Sequence, residues 1–403
     1  MKIKRGDGIS FAIMLYIIGL CLGTATNYIH ENYDLIIVII IVVFQIGSIV
    51  LNKMTRRRIR LLLVNNLLFK FSVIWLVVGT ILFFIHLGDS NYVVRFLVYR
   101  TMVISIFTLI VIILNMQTVN DIYKYMKAML IGMLINYFIS IYELTTGIHI
   151  GEVLGPHMIN STFVGLSNNN NYATFLLYCI PFILILFVRK KRKYKEKILF
   201  FLLLLANFYF NYRTGSIAGI SGFILIFVFG FIVNQLYKKF SKESVRKLAK
   251  IFAFGYLLFL VIIILLSLDS ISFGSARLAF LSHVSLDFTK TFGIGLGPAG
   301  SQLLNSGWIH NLVFELLYEY GIIVFALFYL CWVKLLNKTN EQCLSKIIGG
   351  YIFAFILLLP FIWISSSSAL SLHFTWVNFA LLYQYFCDAS ISGHFVHARG
   401  KEV

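Results

Sequence analysis

Residues 35–51, LIIVIIIVVFQIGSIVL, run for seventeen positions without one charged side chain. A stretch of that length, coiled as a helix, suits a hydrocarbon layer roughly 30 Å thick. Comparable runs recur along the chain, and hydropathy places about twelve of them. They lie near 10–29, 35–51, 65–87, 92–114, 125–146, 171–188, 198–212, 215–236, 251–268, 311–333, 345–364 and 372–387. Of the 403 residues 60% are hydrophobic and 12% charged, which is more apolar surface than a soluble core of this size needs. Barrel strands would alternate apolar and polar residues over about ten positions, and that pattern does not occur here. The expected fold is therefore an all-α polytopic membrane protein, 1–403, in a single integral domain without internal repeats. Two longer extracytoplasmic loops, 147–170 and 269–310, interrupt it.

The net charge of +18 reflects orientation and does not call for nucleic acid. With the N-terminus placed in the cytoplasm, alternate connections such as NKMTRRRIR, RKKRKYKEK and YKKFSKESVRKLAK carry 28 of the 34 basic residues. That bias follows the positive-inside rule and puts both termini in the cytoplasm. MKIKRGDGIS resembles a signal n-region, but no small-residue cleavage site follows it, so an uncleaved first span is expected. The five cysteines (Cys21, Cys179, Cys331, Cys343, Cys387) fall mostly within apolar runs, without metal or redox spacing, and read as inert thiols.

Lys70 lies near the inner end of its span and can snorkel. The other exceptional basic residues, Arg95, Arg100, Arg213, Arg277 and Lys290, fall on the outer side, where the rule disfavours them. Arg95 is within snorkelling reach of the interface, whereas Arg100 lies roughly 13 Å below the start of its span. A guanidinium at that depth needs a partner or an aqueous cavity. Five residues separate the two arginines, about 140° around a helix, so they need not point at one atom. Arg213 closes an outer turn before Thr214, Gly215 and Ser216, whose N–H groups open the next helix; together they make a candidate anion site.

The first outer loop ends in four asparagines that include Asn170 and Asn171, which either cap the next span or bind sugar hydroxyls. The second begins DSISFGSARLAFLSHVSLDF, a candidate interfacial helix carrying Arg277. GIGLG follows, without the strand context of a phosphate-binding fingerprint, and reads as a tight turn against the membrane surface. His310 then stands at the head of a span, where the helix dipole disfavours imidazolium and keeps a neutral imidazole available as a general base. Asn311 is adjacent, and Glu315 and Glu319 follow one and two turns on, near the outer surface.

Three segments resemble the O-antigen and capsule polymerases and their relatives the O-antigen ligases: RTGSIAGISGFILIF, ARLAFLSHVSLDFTKTFGIGLG and IHNLVFELLYEYGIIVFALFYL. NNNNYATFLLYCIPF is a weaker fourth, and together they cover about a quarter of the chain. Arg213 precedes Ser216 by three residues, where the family often has arginine directly after serine, and the tryptophan often found after the loop arginine is absent. The resemblance implies a GT-C-like membrane glycosyltransferase of the bacterial cytoplasmic membrane. It would transfer glycan from an undecaprenyl-pyrophosphate donor at the outer face, without metal, nucleotide sugar or other cofactor. Its partners would be the lipid bilayer, a flippase and a chain-length regulator. By that resemblance His310 is the base, while Arg95, Arg100, Arg213 and Arg277 hold pyrophosphate. Asn170, Asn171, Asn311, Glu315 and Glu319 would support the glycan. The residues leave polymerase, ligase and, from another class, a lipid-linked-oligosaccharide flippase open as readings.

Overall fold

The computed structural model describes residues 5–22, 33–89, 91–147, 169–188, 194–268, 293–300, 312–343, 348–365 and 373–387. Every regular element among them is a helix. In chain order these are α1 (Arg5–Leu22), α2 (Tyr33–Leu51), α3 (Lys53–Asn65), α4 (Leu67–Ile85), α5 (Tyr92–Asn115), α6 (Val119–Thr146) and α7 (Asn169–Phe187). They continue with α8 (Tyr194–Arg213), α9 (Ile217–Lys239), α10 (Lys242–Leu268), α11 (Leu312–Cys343), α12 (Gly349–Ser365) and α13 (His373–Cys387). Each expected span overlaps one helix. α4, α5, α6, α9 and α11 are long and apolar enough to cross a membrane, and α2 with α3 forms a further pair bent by 100°. Among the described residues the chain is all-helical, with the apolar helices of a membrane protein.

The exception to the expected pattern is α3, which occupies what reads in the sequence as a basic connection. Asn52 starts it by accepting from the Met54 N–H at 2.9 Å. Asn66 closes it and also opens α4, accepting from the Phe69 N–H at 3.0 Å. Two arginines fix the bend by binding helix C-termini, where carbonyls lack partners and the dipole favours cations. Arg56 donates to the carbonyls of Ile49 and Val50 at the end of α2. Arg58 donates to those of Ile113 and Met116 at the end of α5.

α7 and α13 are enclosed on nearly all sides. Lipid tails are as apolar as leucine, so helix association here relies on close packing and buried hydrogen bonds. Asn378 of α13 donates to the Tyr178 carbonyl of α7 at 2.7 Å, and Asn207 of α8 to that of Leu176 at 2.9 Å. Asn136 of α6 donates to the Cys21 carbonyl of α1 at 2.6 Å. Ser105 of α5 meets His373 Nδ1 of α13 at 2.7 Å. Small residues set the closest approaches: Gly219 of α9 faces Ala173 of α7, and Gly230 of α9 faces Tyr351 of α12. Trp75, Phe328, Trp363, Trp376 and Phe379 form an aromatic centre between α4, α11, α12 and α13.

Helix directions sort the charges between the two ends of the bundle. The basic residues of α3, of the starts of α6, α8 and α10, and of the ends of α9 and α11 collect at one end. Arg95, Glu143, Asn171, Arg213, Glu315 and Glu319 lie towards the other. Single cysteines at Thr146 and Ser241, exposed near opposite ends, are expected to show opposite labelling by a membrane-impermeant thiol reagent in intact cells. Equal labelling of both would break this assignment.

Candidate functional site

The turn 293–300, within the segment that precedes α11, is anchored at a break in that helix. At Gly321, φ 80° and ψ 179° interrupt α11. An α-helix would bond the Ile322 N–H to the Tyr318 carbonyl, and the break frees both. The turn 293–300 takes their place. Ile322 N–H donates to the Gly293 carbonyl at 2.8 Å, Leu296 N–H to the Tyr318 carbonyl at 3.0 Å, and Gly297 N–H to the Glu319 carbonyl at 2.9 Å. The turn reaches these positions through positive φ at Gly293, Gly295 and Gly297, with Ala299 at 62°. Any side chain at Gly295 would bring its Cβ to 2.7 Å from the Glu319 carbonyl oxygen. At Gly321 a Cβ would collide with the carbonyls of Gly293 and Ile294.

Arg95 clamps the turn from the other side. It lies in the first turn of α5 and is only 7% exposed. Its Nη1 donates to the carbonyls of Leu296 and Pro298 at 3.0 and 3.1 Å, and its Nη2 pairs with Asp89 at 2.8 Å. The Nδ1 of the neighbouring His86 lies 3.3 Å from the same carboxylate. A cation in the first turn of a helix opposes the dipole, and Asp89 supplies the compensating negative charge. The planar fork of arginine suits simultaneous bonding to a carboxylate and two carbonyls.

The turn is tight, as expected, but it is packed: Gly297 lies beside His86 and Leu82 of α4, and Gly293, Gly295 and residues 297–300 are buried. Arg95 is enclosed within the protein, while Arg100, one and a half turns on, is exposed. Arg213 is exposed at the end of α8. Beside it Ser216 caps α9, accepting from the Gly219 N–H at 3.2 Å, and the Ser216 N–H donates to Thr214 Oγ1 at 3.1 Å. Glu315 and Glu319, expected near the outer surface, are each 1% exposed and lie on one face of α11. Asn171 is buried in the first turn of α7, and Asn170 stands in the same turn. Arg277, His310 and Asn311 lie outside the described residues, as does the expected interfacial helix of 269–288.

Sequence reasoning passed over Asp89 and Glu143, which is buried near the end of α6, and read Gly321 only within the third segment that carries the resemblance. Aspartate six residues before an outer arginine was a readable signal for the first. Gly321, inside an apolar run, gave none. Compared with known proteins, the chain matches no protein-family model, no curated sequence and no solved structure.

Gly295→Ala is expected to lower thermal stability in detergent by about 2 kcal/mol or more, through strain at positive φ plus the collision with α11. Gly147→Ala is the control: its φ is 69°, but an added Cβ meets nothing within 4 Å. Equal losses would show that the turn does not bear on α11.

Proposed function

We propose that the chain is a polysaccharide polymerase, a membrane glycosyltransferase working at the outer face of the bacterial cytoplasmic membrane. It joins a glycan carried on undecaprenyl pyrophosphate to a second lipid-linked repeat unit. In this reading the twelve helices other than α3 cross the membrane, the basic end and both termini are cytoplasmic, and α3 lies across the cytoplasmic end. The observation that carries the reading is the anchored turn. It stands in sequence between Arg277 and His310, so its attachment to α11 and Arg95 fixes one point of the segment that carries both.

The acceptor hydroxyl oxygen attacks the anomeric carbon and forms the new glycosidic bond. The bond from that carbon to the pyrophosphate oxygen breaks, and its electron pair leaves with undecaprenyl pyrophosphate. His310 takes the hydroxyl proton. Arg100, Arg213 and Arg277 stabilise the charge developing on the leaving oxygen. Arg95 supports them by holding the turn. Glu315, Glu319, Asn171, Asn170 and Asn311 furnish polar groups for the sugar units.

Reconstitution with one purified lipid-linked repeat unit is expected to give a ladder of oligomers. Product formed only when a different acceptor is added would make the chain a ligase. Translocation of the unit without any bond formation would make it a flippase. Replacing Arg100, Arg213 or Arg277 with Lys should slow turnover by about 10²–10³, since the charge remains but the fork is lost. His310→Ala should abolish transfer while leaving donor binding intact, and His283→Ala should match the parent. Full-length polymer from His310→Ala would remove the histidine from the reaction.

A further inference from the structure

At the basic end, where α2 bends into α3, a cavity of about 470 Å³ opens between α1, α2, α3 and the end of α5. Its wall has two characters. Val43, Phe44 and Leu51 of α2 form an apolar side that is exposed at the surface of the bundle. Gln45, Ser48, Thr55, Arg58 and Asn115 form a polar side. That polar side is ordered by its own bonds: Asn115 Nδ2 donates to Gln45 Oε1 at 2.9 Å, and the Ser48 and Thr55 hydroxyls meet at 3.0 Å.

Among the described residues the lining contains one cation and no carboxylate, and the same helix α3 also carries Lys53, Arg56, Arg57 and Arg60. The volume far exceeds the roughly 30 Å³ of one water. A small soluble anion would leave the apolar side unfilled, and a zwitterionic lipid would leave the cationic excess of α3 unmatched. We propose that this cavity binds an anionic phospholipid from the leaflet at the basic end. Its phosphate sits at Arg58 and the amide and hydroxyl groups, and its upper acyl chain lies along Val43 and Phe44. Guanidinium suits a phosphate, and a basic amphipathic helix beside a span suits an anionic leaflet. The bound lipid wedges the 100° bend and ties α3 to the end of α5. This site lies at the opposite end from the anchored turn and stands independently of the glycosyl-transfer reading.

Native mass spectrometry of the full chain released from detergent tests it, with phosphatidylglycerol, phosphatidylcholine or inorganic phosphate added separately. Phosphatidylglycerol is expected to stay bound about fivefold or more over phosphatidylcholine, the scale of one basic contact. Arg58→Gln should remove that preference. Because Arg58 also holds the end of α5, Gly47→Phe provides a second variant. Gly47 lines the cavity and an added Cβ there meets nothing within 4 Å, so the ring should fill the space without disturbing the fold and displace the lipid. Gly255→Phe, equally open but on α10, should retain it. Equal retention of the two lipids, binding undiminished by Gly47→Phe, or phosphate occupying the site in place of lipid would overturn the proposal.

Discussion

Unpaired backbone groups are not tolerated in a hydrocarbon layer, and α11 breaks at Gly321 inside an apolar helix. The break is possible because a second stretch of backbone takes over the groups it releases. The turn 293–300 accepts from one freed N–H and donates to two carbonyls, a pairing that only residues with little or no side chain bulk permit at Gly295 and Gly321. Helix and turn are therefore one unit: neither has a satisfied backbone without the other. The arrangement draws the middle of a long polar segment in against α4, α5 and α11 instead of leaving it over the surface.

Arg95 closes this unit from outside. A buried guanidinium is costly to desolvate, and its cost falls only when every nearby group is arranged to receive it. Asp89 supplies charge, Leu296 and Pro298 supply carbonyls, and the fork geometry serves them together. At the other end of the bundle arginines do related work: Arg56 and Arg58 close the C-termini of α2 and α5. Both ends thus use guanidinium to bind main-chain oxygen, and among the described residues the buried arginine beside a carboxylate is Arg95. Towards the same end of the bundle Glu315 and Glu319 are shielded by the packing from bulk water.

Much of the fold was legible because an apolar run of span length has few alternatives. Each such run is a helix, and the Lys and Arg bias sorts to one end of the bundle. α3 was not read as a helix because its five basic residues suggest a solvated connection. Its signal was the pair of asparagines, Asn52 and Asn66, at its two ends. The site was less legible. Depth along a helix can be counted from sequence, but the direction around it depends on the neighbours. Arg100 lies deeper yet is exposed, while Arg95, nearer the end, is buried. The pairing at Gly321 was hidden for a related reason. Its two strands of backbone are separated in sequence by the stretch containing His310, and a glycine within YEYGIIVF carries no mark of a break.

The anchored turn also constrains how the segments on either side of it can work. A loop of this length would ordinarily sample many arrangements, and ordering it during a reaction would cost conformational entropy at every residue fixed. Binding its middle to α11 and Arg95 divides it into two shorter pieces, each tethered at both ends to a helix or to the turn. Loop closure becomes less unfavourable as loops shorten, so the residues on either side of the turn need less ordering to meet a bound group. Arg277 lies on one piece and His310 on the other. In the proposed reaction a carbonyl-to-guanidinium clamp at the junction would act on both through the backbone, with Arg95 as the residue that holds the turn.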